Sequence, residues 1–263
     1  VLDLTVPEIK RKLQEADEAA FAVLERSLVA DTRKGVRRAV EVARRRLEAE
    51  AAERERVAGM YAFERALAAE RGGHVRVGLD EVGRGPLAGP LAVGAVVLRD
   101  DDVIEGLNDS KQVKPEQREV IAEQVRRRAL AWTVQYVQPD EIDAAGMTAS
   151  LTAAFRRAVA AVEAAGVIPD VILLDGNPLH LDAREVNVVK GDARCASIAA
   201  ASIVAKVERD ALMVQLDAQY PGYGLASNKG YGSEEHIRAI KERGLSPAHR
   251  ASFCTAFTQP TLF

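Results

Sequence analysis

The chain has 263 residues, a formal net charge of −3, 48% apolar and 29% charged side chains. That length supports a sizeable core, and the composition places the chain among soluble globular proteins rather than disordered ones. No run approaches the roughly 20 apolar residues that a membrane-spanning helix needs. The small negative charge gives no global argument for a nucleic-acid partner, so a basic surface has to be sought segment by segment. Aromatic residues make up only 5%, which leaves Ala, Val, Leu and Ile to build the core. Cys195 and Cys254 fit neither a disulfide scaffold nor a zinc cluster, and the first residues lack the pattern of a signal peptide. The expectation is a cytoplasmic protein.

In chain order, residues 6–71 come first and are rich in Ala, Leu, Glu and Arg, the strong helix formers. Pro7 suits a first helical turn, and Ile9, Leu13, Ala16 or Ala20, and Leu24 recur at helical spacing. Asp31-Thr-Arg-Lys-Gly35 interrupts the pattern. A second helix is predicted over residues 36–70, with Val36, Val40, Leu47, Met60, Phe63 and Leu67 buried. Residues 1–72 are thus expected to form an N-terminal helical hairpin. Arg33, Lys34, Arg37, Arg38, Arg44, Arg45 and Arg46 face only Glu41 within their span. Such a run reads first as a solvated face; the sharper alternative is a stripe that tracks duplex phosphates through counterion release.

After Gly72-Gly73 the texture changes. Strands are predicted over residues 75–80, 91–98, 132–137, 171–174 and, more weakly, 185–189. Helices are predicted over 115–128, 147–165, 193–219 and 233–243. This order indicates an α/β domain with a mixed sheet flanked by helices, assigned to residues 73–255, with 256–263 as a tail.

Several acids stand where apolar strands end. Asp80 and Glu81 follow the first strand and Asp175 ends another, and an unpaired carboxylate there costs several kcal/mol. Asp192 stands at the expected start of the Ala-rich helix, where a simple cap would also explain it. Phosphodiester hydrolysis is one chemistry that needs such a set, because carboxylate oxygens hold the two divalent cations that activate water and neutralise phosphate charge. Adjacent strand residues point to opposite faces, so Asp80 and Glu81 share a site only if the strand ends or twists, which Gly83 and Gly85 permit. No nucleophile elbow is present. Gly83-Arg84-Gly85 is not a phosphate loop, because no Gly-Lys-Ser/Thr follows it. Read alone, it is a flexible turn with a solvated arginine, and Tyr231 a half-buried core tyrosine.

The motifs themselves are more specific. Gly78-Leu-Asp-Glu-Val-Gly-Arg-Gly-Pro-Leu-Ala-Gly-Pro90 resembles the signature of type 2 ribonuclease H. Leu107-Asn-Asp-Ser-Lys111, Leu174-Asp-Gly176, Lys190-Gly-Asp192, Ala201-Ser-Ile-Val-Ala-Lys206, Lys229-Gly-Tyr231 and His249-Arg-Ala-Ser-Phe253 follow in that family's order. The resemblance runs over residues 75–253 and implies a ribonuclease-H-like sheet. It implies that Asp80, Glu81, Asp175 and Asp192 hold two Mg²⁺ or Mn²⁺ ions. Gly83, Arg84 and Gly85 would read the ribose 2′-hydroxyl, the group that separates RNA from DNA, and Tyr231 the RNA-to-DNA junction. Asn108, Ser110 and Lys111 form a plausible phosphate anchor, and His249 and Arg250 would brace the site through backbone carbonyls.

The implied substrates are RNA–DNA hybrids and duplex DNA carrying single ribonucleotides, cut 5′ to the ribonucleotide by a monomer to leave a 3′-hydroxyl and a 5′-phosphate. The ending Gln259-Pro-Thr-Leu-Phe263 resembles the short motif by which bacterial proteins dock on the sliding clamp, with Gln259, Leu262 and Phe263 as anchors. A junction resolvase on the same kind of sheet, or a non-catalytic nucleic-acid adaptor whose acids are caps, are the alternatives.

Overall fold

The computed structural model describes residues 4–258. The clamp-like motif at residues 259–263 therefore lies outside the described residues. The chain divides into two compact units, Val1–Arg56 and Val57–Phe263.

In the first unit, α1 (Val6–Glu15) opens with a capping box. Glu8 reaches back to the Thr5 amide at 2.8 Å, which satisfies a donor that the helix cannot. The expected single first arm is two helices, because Asp17 caps α2 (Glu18–Leu28) by accepting the Ala20 amide at 2.8 Å. Then comes α3 (Lys34–Glu70). Ile9, Leu13, Phe21, Leu28, Val36 and Leu47 form a core of their own.

The arginines of the basic run are largely engaged inside this unit. Arg33 pairs with Asp31 at 2.5 Å, Arg44 with Glu25 at 2.5 Å and Glu41 at 2.6 Å, Arg45 with Glu41 at 2.8 Å, and Arg46 with Glu50 at 2.9 Å. That is the geometry of a solvated, self-paired face.

The second unit begins inside α3, before the Gly72-Gly73 boundary read from the sequence. Val57, Met60 and Tyr61 are buried with residues of the later helices, so the end of α3 shares that core. Glu64, also on α3, is buried and bonded to Arg76 and Ser197. The sheet contains β1 (Arg76–Val82), β2 (Leu91–Val97), β3 (Ala131–Val137), β4 (Val171–Asp175) and β5 (Glu185–Val188) in the order β3-β2-β1-β4-β5. β1 runs antiparallel to β2 and parallel to β4.

Helices α4 (Pro115–Arg128), α5 (Pro139–Ala145) and α6 (Met147–Ala164) precede α7 (Gly191–Arg194) and α8 (Ala196–Gln219). Further helices are α9 (Leu225–Asn228), α10 (Glu234–Arg243) and α11 (Thr255–Thr258). α6 contributes Leu151, Phe155 and Val159 to a core on one sheet face. On the other face α8 lies unusually close, because a Cβ at Gly78 would meet the Ser197 carbonyl carbon at 2.2 Å and one at Gly94 the Ala201 oxygen at 2.4 Å. The predicted helix over 193–219 is broken by extended Cys195, so Asp192 rides on the short α7 and does not cap α8. No helix among the described residues is long and apolar enough to cross a membrane.

Candidate active site

The site lies where the sheet opens. β1 pairs with β4 only through Leu79↔Leu174, but with β2 as far as Val82↔Ala92. Beyond Leu79 one flank of β1 is therefore released, and in sheets with parallel strands ligands bind at such strand ends. The sequence led us to expect β1 to end or twist at Asp80, yet it continues to Val82; its neighbour is what stops. Strand alternation puts Asp80 on the same face as Gly78, under α8, and Glu81 on the other. Both line one cavity of about 350 Å³ because β4 ends at Asp175 beside them.

Asp175 and Asp192 line the same cavity. The Asp175 Oδ1 accepts the Gly191 amide at 2.6 Å, which fixes the turn that carries Asp192. Burial, and then the charges of Glu81 and Asp175, push the Asp80 carboxyl well above the usual carboxylate range, against a hydrogen bond from Ser202. Burial also raises Glu81, opposed by Arg84. Burial, with Asp109 and Asp175, raises Asp192, opposed by Lys111. Carboxylates that raise one another in this way favour a cation, and their hard oxygen donors suit Mg²⁺ or Mn²⁺. Among the described residues no three or more His, Cys, Asp or Glu side chains gather closely enough to hold a metal ion by themselves. The acids line an open cavity instead, so water or substrate oxygens would have to complete an ion's shell.

The glycine loop, Gly83, Arg84 and Gly85, forms another wall. Gly83 has φ of 90°, and a Cβ there would lie 2.1 Å from the Arg209 Nε, so no other residue fits. Gly85 differs: nothing lies within 4 Å of where its Cβ would stand. The chain's own packing does not demand a glycine at 85, and the bare backbone leaves room for something else to approach.

Two buried arginines lie behind this wall, one bonded to the loop and one to the segments beside it. Arg250 donates to the Gly83 oxygen at 2.6 Å, the Arg84 oxygen at 3.1 Å and the Gly89 oxygen at 3.0 Å. Arg209 donates to the oxygens of Pro90 at 2.9 Å, Lys229 at 3.0 Å and Ala88 at 3.3 Å. The carbonyl bracing expected of Arg250 is thus present.

Tyr231, 48% exposed, reaches the cavity, as do Ser110 and Lys111. Asn108 does not line it; its side-chain oxygen accepts the Asp109 amide at 2.9 Å. Two side chains that the sequence reading did not assign do line it, Ser202 and Lys206. They stand one turn apart on the buried face of α8. The Ser202 hydroxyl also bonds that of Ser110 at 2.9 Å, and Lys206 pairs with Asp210 at 2.7 Å. The signal was in hand, since both lie in the Ala201–Lys206 motif at i, i+4 spacing, read there as a family marker only.

Comparison with known proteins agrees with this geometry. The Ribonuclease HII family profile matches residues 77–256, and that of the Ribonuclease HII N-terminal domain matches residues 5–68. Ribonuclease HII of Moorella thermoacetica is 47% identical over 209 residues, 79% of this chain and 99% of that one. That of Solibacter usitatus is 47% identical over 183 residues, 70% of this chain and 79% of that one. Among solved structures, ribonuclease H2 from Pyrococcus horikoshii superposes with a TM-score of 0.59 at 27% identity, covering 71% of this chain and all 100% of its own. Ribonuclease HII of Archaeoglobus fulgidus, solved in complex with PCNA, gives 0.58 at 26% identity, covering 71% and 98%. The chain belongs to the ribonuclease HII family, hydrolases that act as endoribonucleases on RNA–DNA hybrids.

Proposed function

We propose that this protein cuts the RNA strand of hybrids and also cuts 5′ to single ribonucleotides in duplex DNA, leaving a 3′-hydroxyl and a 5′-phosphate. Asp80, Glu81, Asp175 and Asp192 hold two divalent cations, Mg²⁺ or Mn²⁺. The observation that carries this reading is the convergence of four acids from three separate segments on one cavity. When bound, the cations supply Lewis acidity and neutralise the charge that builds on the phosphate. The rest falls to the chain. The Ser202 hydroxyl supports the buried Asp80. Lys111 and Lys206 bring positive charge to the wall where a phosphate would sit. Gly85 lets the backbone approach a ribose, so that its amide and carbonyl groups can meet a 2′-hydroxyl. Tyr231 offers an exposed ring for the next sugar.

The test is cleavage of duplex DNA with one ribonucleotide, an all-DNA duplex and an all-DNA junction, each with and without chelator. Only the first should be cut, 5′ to the ribonucleotide and only with metal. Asp80→Asn should lower cleavage by about 10²–10³-fold or more, as loss of a central electrostatic group does, while hybrid binding survives. Cutting of the junction, or cutting that resists chelator, would dismiss the assignment.

We further propose that residues 259–263 dock on a sliding clamp through Gln259, Leu262 and Phe263. The solved PCNA complex of the Archaeoglobus fulgidus relative supports it. Both cysteines are buried and free, in keeping with a reducing, cytoplasmic setting.

A further inference from the structure

His249 and Arg250 are consecutive, 5% and 0% exposed, and each grips a different wall of the cavity. Arg250 holds the glycine loop, with bonds to the carbonyls of Gly83 and Arg84 at 2.6 and 3.1 Å. His249 reaches the other wall through a second histidine. Its Nε2 lies 3.1 Å from the His236 Nε2, and the His236 Nδ1 lies 2.8 Å from the Tyr231 oxygen.

The hydrogen-bond partners assign the protons of this relay. A carbonyl only accepts, so His236 Nδ1 carries the hydrogen, and in a neutral ring its Nε2 then accepts. His249 Nε2 must therefore donate, which leaves its Nδ1 to accept the Ser246 amide at 3.0 Å. Every donor and acceptor is matched only while both rings are neutral. Burial holds both below the usual histidine range, His249 at about 4. Tyr223 packs edge-on against the His249 ring at 4.7 Å, and both histidines are buried. Because the Tyr231 ring is half exposed, the position of its backbone decides where that ring stands.

We propose that His249 and Arg250 are positioning residues for substrate selection. Arg250 sets the Gly83-Arg84-Gly85 loop, His249 sets Tyr231 through His236, and their adjacency fixes the gap into which a ribonucleotide-to-deoxyribonucleotide step must fit. The inference rests on the reading of the two walls given above. Its signature is a loss of recognition without a loss of chemistry, since neither residue lines the cavity that holds the acids.

The decisive experiment compares His249→Leu, His249→Gln, Tyr231→Ala and the double variant His249→Leu/Tyr231→Ala. KM and kcat are measured on a duplex with one ribonucleotide and on a uniform hybrid, at saturating Mg²⁺. Loss of one buried hydrogen bond corresponds to about tenfold. His249→Leu should raise KM on the single-ribonucleotide duplex by about that factor, with kcat within about twofold and a smaller effect on the hybrid. His249→Gln, whose amide keeps a donor toward His236, should recover most of the loss. The double variant should be no worse than Tyr231→Ala alone, because coupled groups are not additive. Additive losses, or equal losses on both substrates, would overturn the proposal.

If Tyr231→Ala changes nothing, the reading of that wall falls and the proposal with it. If Tyr231→Ala acts but His249→Leu does not, only the relay falls. Should His249→Leu fail to fold, the ¹⁵N spectrum of the unaltered protein still decides. His236 must carry its proton on Nδ1 and His249 on Nε2, and any other pair of tautomers refutes the relay.

Discussion

Asp80 is buried against two other acids, Glu81 and Asp175, whose charges raise it further. In the metal-free protein this is a cost. The folded pKa lies above the unfolded value of about 3.9, so above that pH unfolding releases a proton, and stability falls as pH rises. Asp80→Asn removes the charge and nearly keeps the shape. In chelator it should stabilise the protein by about 1 kcal/mol, or raise Tm by about 2–4 °C at neutral pH, and flatten the decline from about pH 4 upward. Thermal melts of both proteins across that range, read beside the cleavage assay, test the trade between stability and activity. A lower Tm for the variant at neutral pH would mean that Asp80 is held by attractive partners, and the cation-site reading would lose its electrostatic basis. The same cost made the acids legible: a carboxylate beside an apolar strand demands a reason. Ser202 and Lys206 made no such demand, because a serine and a lysine in an Ala-rich helix look ordinary until the helix face is known. Asn108 went the other way, since its motif position drew it into the predicted anchor while its side chain turns to the adjacent backbone.

Elements were read more easily than their joints. α4 was predicted with the bounds it has, Pro115–Arg128, because proline at the start and three arginines at the end mark both termini. The breaks at Asp17 and Cys195 were missed, since helical periodicity survives across them and only the capping geometry betrays the stop. The glycines of β1 and β2 belong to this scale too. Gly78 looks like a weak point in a strand, yet it is where α8 touches the sheet. Gly78→Ala would drive a methyl group into the Ser197 backbone and lift the start of α8, and Ser202 lies little more than a turn further along that helix. Overpacking of this kind costs about 1–3 kcal/mol, so urea unfolding should shift to a lower midpoint and cleavage should fall with it. Normal stability combined with normal activity would show that α8 yields without disturbing the cavity.

At the scale of the whole molecule, sequence texture and compactness mark different divisions of the chain. The sequence changes texture at Gly72-Gly73, but the compact units divide between Arg56 and Val57, because a helix's periodicity says which face is buried and not in which core. The charge pattern shows the same limit. The net charge is −3, and within the N-terminal run Arg44, Arg45 and Arg46 pair with Glu25, Glu41 and Glu50 and Arg33 with Asp31, which reduces the charge free to draw the protein along a duplex. An enzyme with weak steering gains from being tethered near its substrate, since a tether raises local concentration and can strengthen binding by about 10²–10⁴-fold without a new contact at the active site. The proposed clamp contact at Gln259, Leu262 and Phe263 would act in this way. Leu262→Ala combined with Phe263→Ala should therefore leave cleavage of a short hybrid unchanged while abolishing binding to the clamp, measured by titrating the full chain against it. Cleavage of a long duplex loaded with clamp should fall at low enzyme concentration and recover at high concentration, because local concentration matters only when bulk concentration is limiting. A loss that persists at high enzyme concentration would show that the tail serves the chemistry itself and is no tether.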